Sequence, residues 1–199
     1  MASSEKQLIV QATEANIDLL SRLIRDSFAD VAERFELTLE SCPKHPSNYT
    51  RKWVERDLAR GVRYFILFAD GTAVGCVGVE KPSPTTGDRL PDNDVDKAER
   101  GCRIRHMSTS DNAVQNHYPE VYMERLAVLP QHRGLGYGTR LASHAISQAR
   151  KIGASSVGIG IIAADTGLKN FYRALGFEEG ETKTFPHLPF AVAFLKVML

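Results

Sequence analysis

Residues 126–141, LAVLPQHRGLGYGTRL, run from an apolar stretch through a proline into a turn with Gly134, Gly136 and Gly138 at alternate positions. The apolar stretch reads as a strand, and the residues after the turn read as a helix. At such a junction the first N–H groups of the helix have no acceptor inside it. Those groups and the helix dipole together favour an anion. Glycine removes the Cβ that would hold a phosphate away from the backbone. Arg133 adds a positive charge beside the turn, and Thr139 adds a hydroxyl. Each N–H to a charged oxygen contributes on the order of 1.5–3 kcal/mol. The chemistry this pattern suits is phosphate or pyrophosphate binding; the competing reading is a structural turn whose glycines only permit close packing. A P-loop would end Gly-Lys-Ser/Thr, whereas this turn ends Gly138-Thr139-Arg140. A dinucleotide fingerprint, G-x-G-x-x-G, would place its last glycine where Thr139 stands.

The elements that must hold this turn can be read along the chain. LIVQA (8–12) is a β-rich run, and Thr13 is placed to cap the helix carrying Ile17, Leu20, Leu23, Ile24 and Phe28 at helical spacing. Pro43 and Pro46 break the next segment into loop. Trp53 and Leu58 mark a second helix that Gly61 ends. VRYFILFAD (62–70) and TAVGCVGVE (72–80) are two strands joined at Asp70-Gly71, a strong hairpin signal. VYMERLAVL (121–129) is a strand, residues 137–152 a helix stopped by Gly153, SSVGIGIIA (155–163) a strand and LKNFYRAL (168–175) a short helix closed by Gly176. Two β-rich runs finish the chain. The predicted order is βααββ, a long loop, then βαβαββ: a mixed α/β domain built on one sheet. Residues 81–119 hold Pro82, Pro84, Pro91, Pro119 and the acidic run PDNDVDKAE with little periodicity, and they read as an insertion within a single domain spanning 1–199.

Length and composition bound the function. The chain has 199 residues, enough for one domain with a real core. A formal net charge of +1 removes any general electrostatic case for nucleic acid or an anionic membrane. MASSEKQLIV lacks the pattern of a signal peptide, and no apolar run approaches the roughly 18 residues of a membrane span. Three scattered cysteines, Cys42, Cys76 and Cys102, fit a reducing, cytoplasmic setting better than a disulfide framework. Cys42 with His45, and Cys102 with His106, lack the regular spacing of a zinc site, so no metal is expected.

The run Gln131-His132-Arg133-Gly134-Leu135-Gly136 resembles the (Gln/Arg)-x-x-Gly-x-(Gly/Ala) signature of the GNAT superfamily of N-acetyltransferases. ERLAVLP looks like that family's fourth strand, and FYRALGF (171–177) looks like its later helix with Tyr-x-x-x-Gly-Phe. The resemblance covers 120–199 closely and 8–80 by element order. It implies a mostly antiparallel central sheet whose fourth and fifth strands, a parallel pair, splay apart around acetyl-CoA, with helices flanking. The cofactor strand would be Leu126, Ala127 and Val128, with the backbone of Leu126 and Val128 pairing with the pantetheine arm. The N–H groups of Arg133, Gly134, Leu135, Gly136, Tyr137, Gly138 and Thr139 would hold the pyrophosphate. The implied activity is transfer of the acetyl group from the thioester to a primary amine by direct attack.

By the same resemblance Tyr172 stands at the general-acid position; the competing reading is an aromatic packing role beside Phe171. Glu124 is the candidate base. Two residues before Leu126 on an alternating strand, it should share the face of Leu126 and Val128, as should Tyr122. The competing reading of Glu124 is an ion pair with a neighbouring arginine. His187, between the last two strands, could border an acceptor pocket. Asp165 stands where many members carry an asparagine, and as a carboxylate it can only accept hydrogen bonds. The insertion at 81–119 either forms a lid over the acceptor or is a tolerated surface loop. The acceptor class stays open between small molecules and peptides. So does the oligomeric state, because the apolar C-terminal strand either completes the sheet of one chain or meets a partner in a homodimer. A second functional reading is a non-catalytic acyl-CoA-binding or sensing domain. A third is a nucleotide-binding domain.

Overall fold

The computed structural model describes residues 6–80 and 120–199. The insertion at 81–119, with Cys102, His106 and the lid expectation, lies outside the described residues. The elements are β1 (Gln7–Gln11), α1 (Ile17–Arg34), α2 (Arg51–Ala59), β2 (Val62–Ala69), β3 (Thr72–Glu80), β4 (Glu120–Val128), α3 (Tyr137–Lys151), β5 (Ser156–Ile162), α4 (Thr166–Ala174), β6 (Glu178–Thr184) and β7 (Ala191–Met198). The order matches the one expected from the sequence. The hairpin between β2 and β3 turns at Asp70 (φ 47°) and Gly71 (φ 81°), the two positive φ values a primed turn requires.

The described strands form one sheet in the order β1-β2-β3-β4-β5-β7-β6. Every neighbouring pair is antiparallel except β4 with β5. The C-terminal strand β7 lies between β5 and β6, so it completes the sheet of its own chain.

Strand alternation divides the core in two. Phe65, Leu67, Val77, Val79, Val121 and Met123 face α3 and α4, and pack with Leu141, Ala145 and Tyr172. Tyr64, Ile66, Cys76 and Ala127 face the other side and pack with Leu20, Leu23 and Ile24 of α1, Val54 of α2 and Tyr49. Of the stripe predicted for α1, Ile17, Leu20, Leu23 and Ile24 are all 5% exposed or less, and Phe28 is half-buried against the same cluster.

The parallel pairing of β4 with β5 is short. It runs from Glu120–Ser156 to Tyr122–Gly158. Beyond that point β4 stays with β3 as far as Val128, and β5 stays with β7 as far as Ile162. A gap therefore opens between two strands that are each held on their outer edge. The last turns of α1 tie both lips of this gap. Asp30 pairs with Arg133 in the turn after β4, and Arg34 pairs with Asp165 at the start of α4 after β5.

Candidate active site at the parting of β4 and β5

Gly134 (φ 78°) and Gly136 (φ 81°) take left-handed backbone conformations, and Gly136 is the N-cap of α3. That conformation is strained for a residue with a Cβ. A Cβ at either position would meet nothing within 4 Å, so it is the backbone angle and not crowding that selects glycine. The helical ladder of α3 starts with Arg140, whose N–H donates to the Gly136 carbonyl at 3.0 Å. The start of the helix and its dipole thus face the lip of the gap with an exposed, glycine-lined turn, and Leu135 is 62% exposed at its tip. The donor set suits a phosphate.

Arg133 does not serve this turn as the sequence led us to expect. Its backbone N–H donates to Pro130 O at 3.2 Å. Its guanidinium turns to α1, bidentate on Asp30 at 2.6 and 2.9 Å, and also donates to Ser27 O at 2.6 Å and Val128 O at 3.1 Å. The hydrogen bond from Arg133 is the main cause holding the Asp30 carboxyl below the usual range. Gly138 has a packing role as well: a Cβ there would stand 3.4 Å from the Phe171 ring of α4.

The facing of Glu124 is a second correction. Gly78 pairs with Glu124 and Cys76 with Ala127, so two residues of β4 oppose Val77 alone. This is a β-bulge, and Arg125 within it has φ 51°. The extra residue inverts the alternation. Leu126 and Val128 pack towards α3, whereas Glu124 and Arg125 both face the α1–α2 side, where Arg60 and the Tyr49 ring meet them. Tyr122 lies on the side of Glu124 and not of Leu126. Simple period-2 counting cannot foresee a bulge that leaves no glycine in β4 itself. The accommodating glycine is Gly78 on β3, where a Cβ would lie 3.1 Å from the Tyr64 ring and 3.2 Å from Glu124 O.

Glu124 sits just past the last rung shared by β4 and β5. Its side chain is 10% exposed, and its Oε2 is buried with no hydrogen-bond partner among the described residues. Burial pushes the carboxyl up to about 7; Arg125 and Arg60 oppose this, and the Glu80 and Asp57 carboxylates add to it. Around it lies a cluster that motif reading missed. Asp57 accepts from Tyr64 Oη at 2.6 Å and from Tyr49 Oη, and Arg60 Nη2 donates to Asp57 Oδ1 at 2.5 Å. Arg60 also lies 3.6 Å from both Glu80 and Glu124. The available signals were Asp57 and Arg60 three apart on one helix face, and Glu80 closing an otherwise apolar strand.

Tyr172 stands on the opposite side of the sheet. It is 5% exposed, with its ring 5.0 Å from Phe171 and 5.3 Å from Phe177 in edge-on contacts. Burial alone drives its phenol well above the ordinary tyrosine range. Asp165 caps α4 by accepting from Leu168 N at 2.9 Å and takes the Arg34 guanidinium on its other oxygen. Its carboxylate is therefore committed to the fold. An apolar cleft of about 540 Å³ opens beside the end of β5, lined by Phe35 and Leu37 after α1, Ile162 of β5, and Pro189 and Phe190 before β7. His187 is exposed beside Phe185 and does not line it. No group of three or more His, Cys, Asp or Glu among the described residues is arranged to hold a metal. No helix among them is long and apolar enough to cross a membrane.

A splayed parallel pair, a glycine-rich turn feeding a helix and a tyrosine-bearing helix after the next strand together define an acetyltransferase architecture. Residues 26–177 match the family model described as the acetyltransferase (GNAT) family, and the chain belongs to that family. No curated protein sequence matches the chain. Solved structures do. A ribosomal-protein-alanine N-acetyltransferase from Brucella melitensis is 20% identical, with a TM-score of 0.61 over 96% of this chain and 99% of that one. The yncA protein of Salmonella typhimurium, solved with its cofactor acetyl-CoA, is 16% identical, with a TM-score of 0.62 over 98% and 94%. PaiA N-acetyltransferase from Thermoplasma acidophilum, solved with coenzyme A, is 13% identical, with a TM-score of 0.61 over 98% and 99%. These likenesses establish a shared fold.

Proposed function

We propose that the protein is an acetyl-CoA-dependent N-acetyltransferase that moves the acetyl group to a primary amine by direct attack. The observation that supports this reading is the Glu124 carboxylate, buried where β4 and β5 part, with one oxygen that has no hydrogen-bond partner among the described residues. An amine attacks only when neutral, and a base is most effective when its own pKa lies near the working pH. Glu124, raised to about 7, meets that requirement. It takes the proton of the incoming ammonium. The amine nitrogen then bonds to the thioester carbonyl carbon, the C–S bond breaks as the tetrahedral intermediate collapses, and the second proton on nitrogen leaves through solvent, which also restores the Tyr172 phenol after it has donated. Tyr172, held protonated by its apolar surroundings, supplies the proton to the departing thiolate.

In this reading the turn at Gly134, Leu135, Gly136, Tyr137, Gly138 and Thr139 holds the pyrophosphate through its backbone. The backbone of Leu126, Ala127 and Val128 runs beside the pantetheine arm as an added strand would. Arg133 acts through its structural tie to α1. The acceptor enters from the apolar cleft at Phe35, Leu37 and Phe190. The similarity to an enzyme named for a ribosomal-protein alanine makes a peptide N-terminus one acceptor to test beside small amines. A cytoplasmic location belongs to the same reading; Cys42 and Cys76 are free and buried.

The close packing of Tyr172 between two phenylalanines favours a second reading, an acyl-CoA-binding domain without turnover. The test is release of free CoA thiol from acetyl-CoA across a panel of small amines and short peptides. Acceptor-dependent release is expected. Binding of acetyl-CoA with no release for any acceptor would favour the second reading, and no binding at all would overturn both.

A further inference from the structure

Asp57, Arg60, Glu80, Glu124 and Arg125 bring three carboxylates and two guanidiniums together under β4, with the hydroxyls of Tyr49 and Tyr64 between them. Little of this is solvent-exposed: Asp57, Glu80, Tyr49 and Tyr64 are each 7% exposed or less. Charges in such a place are costly unless something holds them in a useful arrangement. The arrangement is specific. Asp57 Oδ2 accepts from both tyrosines, whose hydroxyls stand 3.2 Å apart, and its Oδ1 receives Arg60 at 2.5 Å. Arg60 is thereby drawn towards α2. From there its two terminal nitrogens reach only to 3.6 Å from Glu80 and Glu124.

That distance matters. A guanidinium at 3.6 Å compensates a carboxylate's charge without forming a hydrogen bond to it. Released from Asp57, the same fork would close on Glu124 and form a bidentate pair. Both carboxylate oxygens would then be occupied, and the group would be a poor proton acceptor.

We propose that Arg60 is a positioning residue for Glu124, and that Asp57, fixed by Tyr49 and Tyr64, is the restraint that keeps Arg60 near the carboxylate without letting it cap the oxygen that receives the proton. This rests on the reading of Glu124 as the base. The groups facing Glu124 are Asp57 of α2, Arg60 just after it, Glu80 of β3, Arg125 of β4, Tyr64 of β2 and Tyr49 of the preceding loop, with Tyr122 two residues before it on the same side of β4. Removing either kind of charge should therefore move Glu124 in opposite directions. Arg60→Gln removes a compensating positive charge and raises the carboxyl. Asp57→Asn removes a negative charge and frees Arg60 to approach, and both effects lower it.

The experiment is a pH titration of the full chain labelled with 13C at the glutamate carboxyl carbons, with Glu124→Gln assigning the resonance. The pH profile of kcat/KM is recorded for the same proteins. The expected midpoint of Glu124 rises by about one pH unit in Arg60→Gln and falls by about as much in Asp57→Asn. Arg60→Lys keeps the charge and stays near the parent. Glu80→Gln, a milder change in case Asp57→Asn fails to fold, also lowers the midpoint. The restraint itself is read in the double variant: the fall caused by Asp57→Asn should exceed that of Glu80→Gln and shrink to a similar size when Arg60→Gln is also present, because no guanidinium is then left to close on Glu124. An unchanged midpoint, or a fall in Asp57→Asn that persists in full in the Arg60→Gln background, would overturn the proposal. The reading of Glu124 as base fails separately, if Glu124→Gln keeps the acid limb of the rate profile while the carbon resonances still shift as expected.

Discussion

The two sides of the gap treat their candidate proton carriers differently. Glu124 lies among charges: two guanidiniums, two other carboxylates and two phenols. Tyr172 lies among hydrocarbons, with Phe171 and Phe177 against its ring and no charge among the causes of its shift. Burial raises both groups. For the carboxyl, opposing charges limit the rise and leave it close to neutral pH. For the phenol nothing limits it, so it stays protonated throughout the physiological range. A base must give up its proton between turnovers, whereas an acid must hold its proton until the leaving group needs it. In the proposed mechanism the charged side meets the first requirement and the apolar side the second.

The largest expected effect comes from removing the charged partner of this pair. Glu124→Gln keeps the size of the side chain and abolishes proton acceptance. The expected loss in kcat/KM is about 10²–10⁴-fold, read from thiol release with the best acceptor. The parent rate should climb as pH rises through about 7 and then level, because the carboxylate form is the active one. A profile that is flat from pH 5 to 9 would remove Glu124 from the chemistry. Tyr172 separates into two effects. Tyr172→Phe should cost about 10²-fold in kcat and leave the unfolding midpoint nearly unchanged, because the ring packing survives. Tyr172→Ala should cost about 3–5 kcal/mol of stability through the cavity it leaves, measured by denaturant unfolding. If Tyr172→Phe turns over at the parent rate, the apolar side is only core.

Most of the fold was legible because its signals are local. Apolar periodicity placed the helices, Asp70-Gly71 placed the hairpin, and Gly153 and Gly176 marked helix ends where φ is positive. The glycine turn before α3 was legible because left-handed backbone angles demand glycine at Gly134 and Gly136. What failed depended on distant partners. The facing of Glu124 was hidden because the bulge sits on a non-glycine residue, Arg125, and is accommodated from β3. The destination of the Arg133 side chain was hidden because Asp30 lies about a hundred residues earlier in the chain. The cluster around Asp57 and Arg60 comes from separate elements, and only the sheet brings them together.

A smaller effect sharpens the contrast through stability. Glu124 titrates near 7 in the folded protein and near 4.5 when exposed. Below 4.5 it is protonated in both states and costs nothing. As pH rises from 4.5 to 7 the unfolded state loses its proton first, so the folded state binds more protons and stability falls. Above 7 the full cost remains. Glu124→Gln should therefore stabilise the protein at pH 8 by about 1–3 kcal/mol, and the gain should vanish by pH 4. Thermal unfolding of parent and variant across this range checks the sign. A variant that is less stable at pH 8 would mean that Arg60 and Arg125 need the Glu124 charge more than burial penalises it.

The smallest expected effect concerns Arg133, whose sequence position promised a phosphate contact and whose side chain points elsewhere. Its four hydrogen bonds join the end of β4 to the last turns of α1, while Arg34 joins the same helix to Asp165 beyond β5. The Asp30–Arg133 pair is over two-fifths exposed, which confines its worth to about 0.2–1 kcal/mol. Because Asp30 is held below its usual range, that contribution is present above the ordinary carboxylate pKa and is lost as pH falls through the lowered value. Arg133→Met should therefore lower the unfolding midpoint at pH 7 by about 1–4 °C and change the KM for acetyl-CoA by less than about threefold. Asp30→Asn should reproduce the stability loss, because it breaks the same tie from α1. A rise of tenfold or more in that KM in Arg133→Met alone, with stability intact, would return the guanidinium to the phosphate and reduce the tie between α1 and β4 to a surface contact.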